Sequence, residues 1–297
     1  MSFSISGRTA LVGVLGDPVR HSLSPAMHNG ALRALGLDWI YLALPVAAAD
    51  LAAAVRGLEA IDCRGLNVTL PHKQAVAALV QELSPLAQRV GAVNTLVRRD
   101  AGGWLGTNTD VEGFLAPLQA ETTASRAVVL GCGGSARAVV AGLVERNLEL
   151  IQLVGRELQR REAFVASCRS WAPQLRGLPW ESAALIEALG QADLVVNTTP
   201  VGMARGDTGA GACPLGPLEL EALRPGALVY DLIYTPRPTR LLQEARQRGC
   251  RGLDGLEMLV QQGAASLRLW SGAATGGAAI PVEAMRRAAL DQLGQAP

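Results

Sequence analysis

The polar residues of the segment 67–73 have the types and spacing to bind and protonate a polar substrate. Asn67 and Thr69 stand two residues apart in a run typical of a β-strand, so both side chains are expected on one face. A proline ends the strand, and Lys73 follows on the first turn of a helix predicted over 74–83. Two hydrogen-bonding groups and one ammonium then converge at the carboxyl end of a strand, where open α/β folds bind ligands. The same pattern also fits an ordinary turn with a solvated lysine.

A glycine-rich segment forms a second group with chemical potential. Gly131, Gly133 and Ala136 follow a predicted buried strand over 127–130 and open a helix predicted to end near residue 146. This spacing fits the dinucleotide-binding fingerprint, in which the first glycine permits a tight turn and the second lets the backbone approach a pyrophosphate. The free N–H groups of the helix N-terminus attract the same anion. Glycine turns also serve packing alone, so the context of strand, loop and helix carries the prediction.

Two arginines and a glutamate follow the next predicted strand, 150–154. An acidic residue at this point would hold a ribose 2′-hydroxyl, whereas an arginine would hold a 2′-phosphate. Arg156 is the first polar side chain after the strand, and Arg160 lies one helical turn further on. Two guanidinium groups favour a 2′-phosphate and therefore NADP. Glu157 between them supports the alternative of a solvated basic helix start.

A third loop, 197–203, ends a strand predicted over 193–198 and contains threonines, a proline and a glycine. It is interpreted either as a plain turn or as the loop that passes the nicotinamide half of a dinucleotide.

The composition excludes several classes of function. Charged residues make up 18% of the 297 residues and the formal net charge is +1, so neither nucleic acid nor an anionic membrane is an expected partner. The five cysteines are scattered without a CxxC pair and read as reduced thiols of a cytoplasmic protein. The three histidines lack metal-ligand spacing, so no metal is expected. We also expect no signal peptide and no membrane-spanning helix.

Strand-like and helix-like segments alternate along most of the chain, which predicts an α/β fold. Ser24 is predicted to cap a helix that runs to about residue 35, and 92–99 with 104–108 to form a hairpin. A long amphipathic helix is predicted to open at residue 252 and to end at residue 270. We predict an α/β substrate domain (1–112 plus 249–297) and a Rossmann-type doubly wound domain (120–248), joined through a polar stretch over 119–126.

These segments resemble the shikimate dehydrogenase family nearly from end to end. The motifs that carry the resemblance follow the family's order and lie at 21–29, 65–73, 91–95, 106–110, 131–137, 197–203, 231–234 and 255–262. The resemblance implies the NADPH-dependent reduction of 3-dehydroshikimate to shikimate, on the way to chorismate and the aromatic amino acids. It also implies a small-molecule substrate as the partner, with a homodimer as the assembly to consider.

The family's functional residues can be placed on this sequence. The resemblance implies that Lys73 and Asp110 are the catalytic pair. The implied substrate-binding residues are Ser22, Ser24, Asn67, Thr69, Lys73, Asn94, Asp110, Tyr234 and Gln262. The implied cofactor-binding residues are Gly131, Gly133, Gly134, Ser135, Ala136, Arg156, Arg160, Thr198, Pro200, Met203, Leu232 and Gly255. A ketone that accepts hydride develops negative charge on oxygen, which an ammonium stabilises and protonates. A neighbouring carboxylate keeps the amine charged.

Three positions depart from the family pattern and keep alternatives open. Gly155 and Glu157 replace a polar residue and a threonine beside Arg156, and Glu257 replaces a small residue. One alternative is a quinate/shikimate dehydrogenase of the same fold that uses NAD. Another is a binding protein or regulator that lost turnover, against which the presence of Lys73 and Asp110 argues. An unrelated α/β dehydrogenase matched by chance is the third.

Overall fold

The computed structural model describes residues 5–118, 124–180, 183–204, 209 and 211–294, so most of the predicted polar stretch lies outside the described residues. The chain divides into two compact units, Met1–Ala116 with Leu259–Pro297 and Pro117–Met258.

The first unit contains a six-stranded mixed sheet. Its strands are β1 (Ala10–Gly16), β2 (Trp39–Pro45), β3 (Gly65–Val68), β4 (Glu82–Leu83), β5 (Thr95–Arg98) and β6 (Trp104–Thr107). Their order is β2-β1-β3-β5-β6-β4. Strand β1 pairs in parallel with β2 and β3, while β3, β5 and β6 pair antiparallel, which includes the predicted hairpin. The strand that carries Asn67 therefore lies inside the sheet, with a neighbour on each side.

The helices of this unit are α1 (Ser24–Ala34), α2 (Leu51–Ala60), α3 (Pro85–Val90), α4 (Asp110–Leu115) and α11 (Val282–Gln292). Helices α1 and α3 pack against strands of the sheet, and α11 packs against α1. One core contains the fully buried Leu15, Leu66, Val76, Leu96 and Trp104. The burial of each of these side chains contributes about 1.5–3 kcal/mol to the stability of the fold. This packing holds the ends of the strands in place.

The second unit is a doubly wound parallel sheet. Its strands are β7 (Arg126–Leu130), β8 (Leu150–Gly155), β9 (Leu175–Pro179), β10 (Leu194–Asn197), β11 (Leu228–Asp231) and β12 (Arg251–Leu253). The order β12-β11-β10-β7-β8-β9 reverses direction between β7 and β10, and all pairs are parallel. This is the strand order of the dinucleotide-binding fold, which binds its ligand at that reversal.

The central strands β7 and β10 each contain two adjacent valines. All residues of β10 and β11, and those of β7 after Arg126, are buried, as the central strands of a parallel sheet require. Its helices are α5 (Gly134–Glu145), α6 (Leu158–Cys168), α7 (Ala183–Gln191), α8 (Pro217–Glu221) and α9 (Arg240–Gln247). The boundary between the two units falls within α10 (Leu256–Ser271). Among the described residues, no helix is both long and apolar enough to cross a membrane.

Several predicted elements differ from the observed ones. The helix predicted over 74–83 is wrong, because only a 3₁₀ helix, Ala75–Leu79, forms before β4 pairs with β6. Sheet pairing overrides the helix propensity of this alanine-rich segment. Ser24 is not the N-cap of α1, since Leu23 occupies that position and makes no side-chain capping bond.

The long C-terminal helix and the second domain boundary also begin later than predicted. Strand β12 pairs with β11, so the chain stays in the second unit through Met258 instead of leaving it at residue 249. Helix α10 starts at Leu256, whose amide donates to Asp254 Oδ1 at 3.0 Å. Asp254 was the sequence signal for this start, because aspartate side chains accept from the first amides of helices.

Candidate active site

Lys73 and Asp110 form an ion pair in the first unit. Lys73 lies in the turn after β3, where its backbone carbonyl accepts from the Val93 amide at 2.7 Å. Its Nζ donates to Asp110 Oδ2 at 2.6 Å, and the two side chains are 13% and 6% exposed. Asp110 is the first residue of α4. The ammonium therefore sits largely shielded from water, where its charge acts on a nearby oxygen more strongly than it would in bulk solvent.

The second carboxylate oxygen of Asp110 is held by Asn94. Asn94 Nδ2 donates to Asp110 Oδ1 at 2.9 Å, and its Oδ1 accepts from the Thr109 amide at 2.7 Å. The Asp110 amide donates to Asn108 Oδ1 at 3.0 Å. Both oxygens of the carboxylate and the backbone beside it are thus fixed, which gives the lysine amine one defined partner.

A buried polar network connects Asn67 with this pair. Asn67 Oδ1 accepts from the Tyr41 hydroxyl at 2.8 Å, and its Nδ2 donates to Ser266 Oγ at 2.9 Å. Ser266 also contacts the hydroxyls of Thr95 and Thr109 at 2.9 and 3.1 Å. Sequence reasoning missed Ser266. The available signal was its position on α10, one helical turn after Gln262.

Gln262 is brought to the same cluster. Its Oε1 accepts from Asn94 Nδ2 at 3.4 Å, and its Nε2 donates to the Leu259 carbonyl at 2.8 Å. The structure therefore gathers Asn67, Lys73, Asn94, Asp110 and Gln262 from four separate segments of the sequence into one connected site.

The predicted Ser22, Ser24 and Thr69 all belong to the first unit, with Ser24 at the start of α1. The Ser24 amide donates to Ser22 Oγ at 3.2 Å, so Ser22 has a local structural role that the sequence did not indicate. Thr69 follows the end of β3 and is half-buried, with its amide donating to the Leu15 carbonyl at 2.8 Å. Tyr234 belongs to the second unit, where it follows β11 and is half-buried.

The glycine loop of the second unit has the geometry of an anion cradle. Gly131 has φ +108°, and a Cβ there would lie 2.7 Å from Thr198 Oγ1, so both conformation and space require glycine. Gly133 is exposed, and a Cβ there would meet nothing within 4 Å. Helix α5 begins at Gly134 with Ser135 in its first turn, and Ala136 is fully buried against the core. The free helix N-terminus and the open backbone at Gly133 can accept a pyrophosphate.

The two arginines after β8, Arg156 and Arg160, have different partners in the structure. Glu157 pairs with Arg160 at 3.0 Å, and both side chains are mostly exposed. Arg156 instead lies over the ring of Trp180, with 5.2 Å between its Cζ and the ring centroid. The glycine at 155 is explained by packing, because a Cβ there would lie 2.5 Å from Cys132 Sγ.

The loop predicted to pass the nicotinamide follows β10, and the predicted cofactor-binding residues Leu232 and Gly255 follow β11 and β12. The Met203 amide donates to the Pro200 carbonyl at 3.1 Å, which closes a turn. A Cβ on Gly255 would lie 2.0 Å from the Leu232 carbonyl oxygen, so the two predicted cofactor residues are in direct backbone contact. Any larger residue at 255 would displace the loop after β11.

The loop after β11 is anchored by a buried aspartate. Asp231 accepts from Asn197 Nδ2 at 2.9 Å, from Thr239 Oγ1 at 2.7 Å and from the Ile233 amide at 3.2 Å. Burial raises the pKa of Asp231 to about 6, against the opposing effect of these three hydrogen bonds. Among the described residues, no group of three or more histidine, cysteine, aspartate or glutamate side chains is placed to hold a metal ion.

A shielded lysine–carboxylate pair on one unit and a dinucleotide-type glycine loop on the other define an α/β dehydrogenase. Comparison with known proteins gives the family. Residues 14–96 match the shikimate dehydrogenase substrate binding domain, and residues 255–274 match the shikimate 5′-dehydrogenase C-terminal domain. The shikimate dehydrogenase (NADP(+)) of Trichormus variabilis is 48% identical over 301 residues, covering 98% of this chain and 99% of the relative.

Two solved structures agree with this assignment. The shikimate 5-dehydrogenase of Listeria monocytogenes, in complex with shikimate and NAD, is 32% identical with a TM-score of 0.85, over 96% of this chain and 98% of that one. The enzyme of Thermus thermophilus, in complex with NADP(H) and shikimate, is 37% identical with a TM-score of 0.81, over 95% and 99%. The chain belongs to the shikimate dehydrogenase family.

Proposed function

We propose that the chain catalyses the reversible, NADPH-dependent reduction of 3-dehydroshikimate to shikimate, an oxidoreductase step of aromatic amino acid biosynthesis. The observation that carries the proposal is the shielded ion pair between Lys73 and Asp110. Lys73 is the single lysine of the sequence, and the other basic side chains, apart from three histidines, are arginines. A guanidinium cannot release a proton in a protein, whereas an ammonium can. The one lysine therefore stands where the reaction needs a group that gives up and regains a proton.

The geometry supports proton transfer at Lys73 Nζ. The bound nicotinamide supplies the hydride that reduces the ketone. As negative charge develops on the ketone oxygen, the Lys73 ammonium stabilises it and donates a proton to it. Asp110 accepts a hydrogen bond from the same nitrogen throughout, and Asn94 keeps that carboxylate in one orientation. In the oxidative direction the neutral amine of Lys73 takes the proton from the substrate hydroxyl.

Polar side chains of the first unit suit a polyhydroxy acid. Asn67 and Gln262 contribute neutral amides, which also bond within the protein to Tyr41 and Ser266 and to Asn94 and Leu259. Ser22, Ser24 and Thr69 contribute hydroxyls, and the family resemblance adds the hydroxyl of Tyr234. Neutral donors and acceptors bind ring hydroxyls with directional specificity, and hydroxyls and backbone amides can bind a carboxylate without a permanent charge. Asn94 already uses its amide on Asp110 and Thr109, so we assign it chiefly to holding the catalytic carboxylate.

The second unit fits NADP. The open backbone at Gly133 and the N-terminus of α5 suit the pyrophosphate, and the exposed Arg156 suits a 2′-phosphate. The contact between Leu232 and Gly255 supplies a close-packed backbone surface for the nicotinamide side, together with Thr198, Pro200 and Met203. Glu157 is engaged by Arg160 and so leaves Arg156 available for the phosphate.

Location and assembly belong to the same proposal. All five cysteines are free thiols, which supports a cytoplasmic site of action. We keep the homodimer as the assembly to test, by size-exclusion chromatography with light scattering.

The deciding experiment measures reduced nicotinamide by absorbance, with purified protein and every pairing of shikimate or quinate with NADP or NAD. We expect the highest kcat/KM with shikimate and NADP. A higher value with quinate and NAD would establish the alternative of a quinate/shikimate dehydrogenase. No turnover with any pair, from protein that still binds nucleotide, would establish a silent binding protein.

A further inference from the structure

Trp180 lies directly beside the arginine assigned to the cofactor. Strands β8 and β9 pair in parallel and end with Gly155 opposite Pro179, so Arg156 and Trp180 are the residues that directly follow the ends of two adjacent strands. The Arg156 Cζ lies 5.2 Å from the centroid of the Trp180 ring. This distance is within the range of an attractive cation–π contact.

The two side chains differ in how firmly they are held. Trp180 is half-buried and packs against the apolar core of the second unit, which contains Val154 and Leu185 among others. Arg156 is exposed, and its neighbour Glu157 pairs with Arg160 instead. The indole is therefore a fixed surface and the guanidinium is the group that it restrains.

We propose that Trp180 is a positioning residue that sets the preference for NADP over NAD by holding Arg156 ready for the 2′-phosphate. This inference rests on the proposed function of Arg156. A guanidinium held over an indole by a cation–π contact keeps N–H groups that can bind a phosphate in bidentate fashion. Restraint before binding lowers the entropy lost when the phosphate is bound.

A pair of small probes isolates the 2′-phosphate. Adenosine 2′,5′-bisphosphate and adenosine 5′-monophosphate differ only in that group, and their Kd values are measured by calorimetry on the full chain. We expect Trp180→Ala to weaken the bisphosphate by about 3- to 30-fold, the range of one cation–π contact, and to leave the monophosphate within about twofold. Trp180→Tyr, which keeps an aromatic face, should recover most of the loss.

A double-mutant cycle tests that Trp180 acts through Arg156. In an Arg156→Ala background, Trp180→Ala should cost no further affinity for the bisphosphate, because the group it positions is gone. Trp171→Ala is the matched control, since Trp171 is also a half-buried tryptophan of the second unit and should change neither Kd.

Two results would overturn the inference. Equal losses on both probes would show that Trp180 supports the adenosine site as a whole. Additive losses in the cycle would show that it acts independently of Arg156. Neither readout depends on turnover, so inactivity of the wild-type enzyme with shikimate would contradict the proposed reaction and leave this test intact.

Discussion

The amine of Lys73 and the hydroxyl of Ser22 are two side chains whose removal should separate proton transfer from substrate binding. The amine is paired with Asp110 at 2.6 Å. The Ser22 hydroxyl accepts from the Ser24 amide and keeps its own hydrogen free to donate. Lys73 is expected to act mainly in the transition state, whereas Ser22 is expected to bind the substrate in both the ground state and the transition state.

Lys73→Ala should lower kcat for shikimate oxidation by at least about 10²- to 10⁴-fold, the usual contribution of general acid–base catalysis. KM should change much less, because several other groups bind the substrate. Steady-state kinetics at saturating NADP measure both constants. Asp110→Asn is the companion variant, and it should also lower kcat, since the amine loses the carboxylate that orients it.

The single lysine offers a chemical check of the same role. An amine-specific reagent should inactivate the enzyme by modifying Lys73, and shikimate should protect it; peptide mapping identifies the modified residue. A kcat for Lys73→Ala within about tenfold of wild type would show that another group transfers the proton.

Ser22→Ala should raise KM for shikimate by roughly 10- to 150-fold, since a hydrogen bond to a charged group is worth about 1.5–3 kcal/mol. The change in kcat should be smaller, because the substrate carboxylate carries its charge before and during reaction. Ser22→Thr keeps the hydroxyl and serves as the control for the Ser24 contact. An unchanged KM in the alanine variant would remove Ser22 from the substrate site.

At the scale of elements, the buried carboxyl group of Asp231 at the end of β11 fixes the loop that follows this strand. Asp231 is fully buried and holds Asn197 of β10, the Ile233 amide and Thr239, the N-cap of α9. The next residue, Leu232, is the one in backbone contact with Gly255. Asp231 thus joins two strands, a helix cap and the loop after β11 in one hydrogen-bonded group.

This group makes stability depend on pH. Burial raises the pKa of Asp231 to about 6, above the value of about 3.9 expected in the unfolded chain. Between about pH 4 and 6, the folded state therefore binds more protons at Asp231 than the unfolded state does. The stabilising contribution of Asp231 is fully present below about pH 4 and is lost as pH rises through 6. The full effect is on the order of 3 kcal/mol.

Asp231→Asn should abolish that contribution. The free energy of unfolding of wild type relative to the variant should fall as pH rises from about 4 to 7, as denaturant titrations at several pH values measure. Asp100→Asn, at an exposed hairpin turn, is the control and should show a constant difference. A constant difference for Asp231→Asn as well would mean that the carboxylate does not titrate in this window.

At the scale of the whole molecule, each unit carries one half of the chemistry. The first unit contains the Lys73–Asp110 pair, to which we assign proton transfer, and the polar network, while the second contains the glycine loop and Arg156. A ligand held by the second unit should therefore stabilise that unit without any contribution from the catalytic lysine.

NADP at about 100 times its Kd should stabilise the folded protein by about 2.7 kcal/mol, which corresponds to a rise of roughly 5–10 °C in the Tm of the binding unit. Calorimetry or a thermal-shift assay measures this rise. Lys73→Ala should keep it, whereas Arg156→Ala should lose much of it for NADP and little for NAD. An equal loss with both nucleotides in Arg156→Ala would argue that Arg156 does not read the 2′-phosphate.

Local sequence by itself determined the elements whose residues agree with their surroundings. Hydrophobic periodicity and turn residues predict three such features. They are the valine-rich strands of the second unit, the glycine loop at 131–136 and the hairpin around Asp100. The order of motifs along the chain also determined the family. Short-range patterns such as these survive folding because the tertiary structure places no competing demand on them.

Only the tertiary structure decided which groups meet. The segment 74–83 is helical by propensity, yet β4 forms there because β6 offers a pairing edge. Ser266 joins the polar network around Asn67, and Trp180 contacts Arg156, through contacts between segments that are distant in sequence. Glu157 pairs with Arg160, and the number of charges in this segment did not predict which group the glutamate would contact. These outcomes depend on distances across the fold, and a linear pattern records residue types and spacing but not those distances.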